Sequence, residues 1–122
     1  MSSTKLSRLA AKLEHDTLTE KLAWTTRPVP ADLANIHTIN SGSVYEATHN
    51  GVHLRIFNRW APRHDKEICT VLSEMSTTIQ FLDDNGCVEW EGQNIEGIDQ
   101  LLDTIKFKLN KIAKKIDAIL AA

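Results

Sequence analysis

The dipeptide Asn50-Gly51 constrains this chain more tightly than any other feature. It sits between two β-rich runs within residues 43–60. A two-residue hairpin loop needs positive φ at both positions, and Asn-Gly is the pair that tolerates this best. The loop length then dictates the register. His49 falls opposite Val52, Ala47 opposite Leu54 and Tyr45 opposite Ile56, which together make one apolar face. On the other face Glu46 meets Arg55 and Thr48 meets His53. A one-residue slip would destroy the apolar face and the charge pair together.

A second hairpin is expected over residues 77–91, around Asp83-Asp84-Asn85-Gly86. Ile79, Phe81, Val88 and Trp90 would share its buried face, with Glu89 and Glu91 turned the other way. Two hairpins give an antiparallel sheet of about four strands with one face buried. Residues 3–15 read as a helix, because Leu6, Leu9, Ala10 and Leu13 form one stripe at helical spacing. Residues 17–26 fit either a helix or a strand, and Arg27-Pro28-Val29-Pro30 is expected to stop any regular element. Pro62 is expected to break the strand that precedes it. Between 64 and 76 a helix from about Asp65 to Glu74 competes with a strand through Cys69-Thr70-Val71-Leu72.

The last element expected is a helix over residues 97–121. Ile98, Leu102, Ile105, Leu109, Ile112, Ile116 and Ile119 alternate in spacings of four and three, and no proline or glycine interrupts them. This is the a/d pattern of a coiled-coil seam. Such a helix is about 36 Å long, while a seven-residue strand spans about 23 Å. Its last turns would overhang the sheet and meet a partner helix, either the N-terminal helix or one from a second subunit, and a homodimer is favoured with Leu109, Ile112, Ile116 and Ile119 as its expected interface. Lys106, Lys108 and Lys115 flank this seam and would repel in a parallel pair, which antiparallel pairing, or pairing against Glu14, Asp16 and Glu20 of the first segment, avoids.

The chain has 122 residues, 42% of them apolar and 25% charged, with a formal net charge of -2. These values fit one globular domain, residues 1–122, and argue against a general nucleic-acid binder. Charge is uneven. Residues 67–103 hold nine acids and no lysine or arginine, and residues 104–122 hold five lysines and one aspartate. Two cysteines are too few for a disulfide framework. With no apolar leader and no run long enough to cross a bilayer, the expected location is cytoplasmic, without membrane contact.

No catalytic or cofactor motif is present. His49 and His53 fall on opposite faces of the hairpin and cannot share a metal, and no C-x-x-C, G-x-S-x-G or phosphate-binding loop occurs. No catalytic residue, metal site or cofactor is therefore expected. Asp83-Asp84 reads as turn chemistry, because aspartate side chains bond nearby backbone amides. The most unusual stretch runs from Arg55 to His64. Arg55, Phe57 and Arg59 project to the face opposite the core, and with Trp60 and Arg63 they would form an exposed basic, aromatic stripe suited to a protein partner.

Taken together, the chain is expected to be an α+β protein in which the sheet packs against an N-terminal helix and a long amphipathic C-terminal helix. Its expected role is that of a non-enzymatic interaction protein, an adaptor, chaperone or inhibitor, working as a homodimer with a further protein partner. One alternative is a ligand-binding or catalytic domain with an apolar pocket near Trp24, Tyr45 and Trp90. Another is a weak single-stranded nucleic-acid binder that uses Arg55, Phe57, Arg59 and Arg63.

Overall fold

The computed structural model describes residues 3–29, 38–39, 43–65 and 70–121, with side chains described for 5–29, 43–59 and 76–121. The elements are α1 (Ser3–Leu18), β1 (Thr25–Pro28), β2 (Thr38–Ile39), β3 (Ser43–His49), β4 (Val52–Asp65), β5 (Thr70–Leu82), β6 (Val88–Gln93), α2 (Ile98–Leu109) and α3 (Ile112–Leu120). The fold class is α+β. The five longer strands follow the order β1-β3-β4-β5-β6, and the two-residue β2 pairs with β4. Every pairing is antiparallel. The sheet is thus larger than the four strands expected.

The β3–β4 hairpin has the register that the Asn-Gly loop dictates: Tyr45↔Ile56, Glu46↔Arg55, Ala47↔Leu54, Thr48↔His53 and His49↔Val52. Both loop residues are left-handed, with φ of 50° at Asn50 and 80° at Gly51. The β5–β6 hairpin pairs Phe81 with Trp90 and Ile79 with Gly92, as the loop parity requires. A bulge between Phe81 and Leu82 then pairs Leu82 with Val88. Val88, expected on the core face, is instead 42% exposed. The extra residue of a bulge takes the end of the strand out of the alternation.

The segment around Pro28 ends β1 as expected, whereas Pro62 does not end β4. Pro28 closes β1, an edge strand, where it pairs with Ser43. Pro62 sits inside β4 and pairs with Ser73. Beyond Trp60, β4 has β5 as its only partner strand among the described residues. A proline is tolerated where one side of the strand is open. The segment 61–76 is therefore a long β4–β5 ribbon rather than a helix, apart from residues 66–69, which include Cys69 and lie outside the described residues. Val71, Leu72 and Met75 carry helical spacing, but ladder pairing with Arg63, His64 and Trp60 decides the backbone.

Helix α1 runs three residues further than expected and ends in a Schellman turn. Lys21 donates its backbone N–H to Asp16 O at 2.8 Å, and Glu20 donates to Thr17 O. The left-handed position, usually glycine, is held by Glu20 at φ 63°. The segment 17–26 thus divides into the helix end, a turn and the start of β1.

The C-terminal helix is broken. It divides at Asn110-Lys111 into α2 and α3, with Lys111 left-handed at φ 53° and ψ 44°. A left-handed residue carrying a Cβ costs about 1–2 kcal/mol. The break contains neither proline nor glycine, so spacing alone gave no sign of it.

The core lies on one sheet face. Ala10 and Leu13 of α1 and Ile98, Leu101, Leu102 and Ile105 of α2 pack with Tyr45, Leu54, Ile56 and Ile79 of the sheet. Helices α1 and α2 lie side by side in parallel: Ser7 meets Glu96, Glu14 meets Thr104, and Glu20 meets Lys108. Two glycines have steric reasons. Gly97 begins α2 at φ 87°, and Gly92 lies beneath the Trp90 ring. A Cβ on Gly92 would fall 2.5 Å from Trp90 Cη2 and 2.9 Å from Ile95 Cδ1. Gly92→Ala should therefore destabilise the fold by about 1–3 kcal/mol through overpacking, read as a lower urea midpoint at unchanged slope.

Candidate functional site

The sheet face opposite the core carries a row of polar side chains set by the strand registers. Thr25, Glu46, Arg55, Gln80 and Glu91 stand directly opposite one another across five strands. Their side chains form a continuous chain. Arg27 Nε lies 3.0 Å from Glu46 Oε1. Arg55 donates from Nε to Glu46 at 3.4 Å and from Nη1 to Gln80 Oε1 at 3.0 Å. Gln80 Nε2 donates to Glu91 Oε1 at 2.8 Å, and Arg59 Nη2 donates to the other Glu91 oxygen at 3.4 Å. Each buried guanidinium has a carboxylate, so neither charge is left uncompensated.

This arrangement corrects the expectation of an exposed stripe. Arg55, Phe57 and Arg59 are 5%, 0% and 4% exposed. Phe57 packs with Val44 and Val29 in a second apolar cluster. The side chains of Trp60 and Arg63 lie outside the described residues; their backbones pair with Met75 and Leu72 in the ribbon. Strand parity identified the face that Arg55, Phe57 and Arg59 share. It carried no information about whether that face is covered.

The pocket candidates Trp24, Tyr45 and Trp90 belong to one apolar core cluster. Tyr45 is a core residue, and Trp90 stacks at a tilt on Phe81 with ring centroids 5.0 Å apart. Trp24 lines a cleft of about 290 Å³ together with Leu22, Ile105 and Leu109, at the shared C-terminal end of α1 and α2. Its indole Nε1 donates to Thr17 Oγ1 at 2.9 Å, and that hydroxyl donates to Leu13 O at 2.7 Å.

Sequence reasoning missed Asp16, which joins helix and sheet. It is 2% exposed, and its carboxylate accepts from His49 Nε2 at 2.7 Å and from Lys12 Nζ at 3.1 Å. Its backbone oxygen accepts from Lys21 and Leu22. The bond from His49, reinforced by Lys12, holds the Asp16 carboxyl below its ordinary range. The signal available in the sequence was an acid placed i+4 from Lys12 on the flank of the α1 stripe.

One polar cleft, of about 430 Å³, opens where the two hairpin loops meet and is lined by Arg27, Glu46, His53, Asp83 and Asp84 among others. Within it Thr48 Oγ1 lies 2.9 Å from His53 Nδ1, and His53 Nε2 lies 3.8 Å from Asp84. The order Thr-His-Asp is that of a nucleophile, a base and an orienting acid. The Asp84 side chain is 99% exposed and beyond hydrogen-bonding distance, so the imidazole is not held as a base. Among the described residues no group of three or more His, Cys, Asp or Glu could hold a metal.

Among the described residues, exposed large apolar side chains gather on the C-terminal helices. Helix α3 has no buried residue. Ile116, Ile119 and Leu120 are 45%, 74% and 77% exposed, and Phe107 on α2 is 46% exposed. Of the four dimer candidates, Leu109 packs against the core and Ile112 is half-buried, while Ile116 and Ile119 face outward. No helix among the described residues is long and apolar enough to cross a membrane.

Two outcomes check these assignments. Gln80→Leu removes the link between Arg55 and Glu91 and leaves a buried donor short of its acceptor, which should cost about 1–3 kcal/mol in chemical denaturation. Asp16 has a folded pKa below its unfolded value of about 3.9. Its contribution is complete above the unfolded pKa and disappears as pH falls through the lowered folded pKa. The wild type should therefore keep this share of its urea resistance above about pH 3.9 and lose it as pH falls further, and Asp16→Asn should lose less over the same interval.

Comparison with models of known families, with characterised proteins and with solved structures finds no match to this chain.

Proposed function

We propose that this chain is a non-enzymatic interaction protein, of the adaptor, chaperone or inhibitor kind, that works as a homodimer through its C-terminal helices. The observation that carries this reading is α3, an amphipathic helix without one buried residue that holds Ile116, Ile119 and Leu120 in water. A contiguous apolar patch of this kind marks an association surface on a folded chain. Exposed isoleucine and leucine contribute nothing to the monomer, and each is worth about 1.5–3 kcal/mol when buried.

Lysines surround the patch. Lys111, Lys114 and Lys115 accompany the apolar residues of α3, with Asp117 as the only acid there. An apolar centre with a charged rim is the usual anatomy of a reversible interface. The two sheet faces offer less, because one is filled by the core and on the other Arg55, Phe57 and Arg59 are buried.

The double substitution Ile116→Asp with Ile119→Asp tests the reading. Both side chains are substantially exposed, so folded stability should move by less than about 0.5 kcal/mol. Light scattering should report a dimer for the wild type and a monomer for the variant, with matching circular dichroism. A wild type that remains a monomer at every concentration would overturn the homodimer.

A further inference from the structure

We infer that Arg59, Ser76 and Thr78 form the seat of a carboxylate-bearing ligand at one end of the far sheet face. The inference stands apart from the homodimer reading, since no residue of α3 takes part in it.

Buried donors without acceptors carry it. Arg59, Ser76 and Thr78 are 4%, 7% and 0% exposed. Arg59 Nε, Ser76 Oγ and Thr78 Oγ1 are shut from solvent and have no hydrogen-bond partner among the described residues. Folded proteins leave few buried polar atoms in this state, and each one calls for a reason. Here three fall together. Arg59 stands directly opposite Ser76 across β4 and β5, and Thr78 is the next residue along the same face of β5. Opposed residues are about 5 Å apart at Cβ and diagonal neighbours about 7–8 Å. A guanidinium N–H and two hydroxyls at that spacing converge on one small acceptor.

The polar row beside them does not supply that acceptor. Gln80 accepts from Arg55 and donates to Glu91 Oε1. Glu91 Oε2 accepts from Arg59 Nη2 at 3.4 Å and from Gln93 Nε2 at 3.3 Å. Glu91 thus meets the Arg59 charge through one long contact at Nη2 and leaves Nε–H aside. Close charge-assisted bonds measure about 2.7–2.9 Å. Phe57, which stands opposite Thr78, has no acceptor to offer.

Charge and access define the ligand. The row joins three guanidinium groups, of Arg27, Arg55 and Arg59, to two carboxylates, of Glu46 and Glu91, so one positive charge is in excess. A monoanion balances it. The two oxygens of a carboxylate accept about four hydrogen bonds, enough for all three donors. A dianion would leave net negative charge in a site shut from water, which is costly. Strand β6 ends at Gln93 opposite Thr78, and beyond that rung β5 has no partner strand on this flank among the described residues. Ser76 therefore borders an open edge of the sheet, and the carboxylate enters there.

Acetate is the probe, used on the full chain at fixed protein concentration. Sodium acetate at about 0.1 M should raise the melting temperature by about 3 °C or more over sodium chloride of equal ionic strength. Ser76→Ala with Thr78→Val should melt no lower than the wild type without acetate, because the hydroxyls removed have no partner. Its acetate shift should fall to the small general effect of an excluded salt. Arg59→Lys keeps the charge without the Nε–H and should lose the shift independently. Equal wild-type melting in acetate and chloride overturns the seat, and so does a double variant that keeps the full acetate shift. A wild type that answers to sulfate and not to acetate overturns the carboxylate. Each of these results leaves the homodimer standing.

Discussion

The two left-handed residues of the Asn50-Gly51 loop are the constraint on which the rest of this structure depends. They set the parity of β3 against β4. That parity sends Tyr45, Leu54 and Ile56 toward the helices and Glu46 and Arg55 away from them. β5 inherits the division through β4, since Ile56 faces Ile79 and Arg55 faces Gln80. β6 inherits it through β5, since Phe81 faces Trp90 and Gln80 faces Glu91. One turn thus orders side chains four strands across, and a slip there would place Arg55 and Gln80 in the apolar core.

The consequence on the far face is a row of alternating character: acid, base, amide, acid. Burying such a row costs desolvation and returns little net stability compared with apolar packing of the same volume. Its value lies in selectivity between registers. Arg55 bonds Glu46 on one side and Gln80 on the other, and this holds only when both strand pairs are aligned. The row therefore penalises every other alignment at the cost of leaving buried polar groups unmet. The Asp16–His49 bond acts similarly between layers, tying the end of α1 to the end of β3.

These relations explain what was legible beforehand. Pairings decided by neighbours in sequence, such as Glu46 with Arg55 across a two-residue loop, follow from turn geometry. The stripe Ala10, Leu13 of α1 and the stripe Ile98, Leu102, Ile105 of α2 follow from the helical period. What was not legible depends on contacts distant in sequence. Whether Arg55 and Arg59 face solvent depends on what closes over the sheet. Whether Pro62 ends a strand depends on which side of β4 is open. Val71 and Leu72 suit either a helix or a ladder, and the partner strand decided between them. The bulge at Leu82 displaced Val88 without any glycine or proline at the bulge to announce it. Asp16 looked like one more surface acid until His49 was brought to it from thirty-three residues away.

The C-terminal helices show the same division most sharply. Local rules specify one helix over residues 98–120, and its apolar face continues unbroken through the break. Tertiary packing uses the first half only, since Ile98, Leu101, Leu102 and Ile105 are buried and no residue of α3 is. Local preference and tertiary burial agree up to Leu109 and part at Lys111. A foldable sequence is consistent across levels, and conflict between them concentrates where function resides. A chain selected only for its own core would have no use for Ile116, Ile119 and Leu120 in register with that core. Their spacing continues the stripe beyond the residues that the core buries, and this mismatch between local pattern and tertiary burial is the physical basis of the association proposed above.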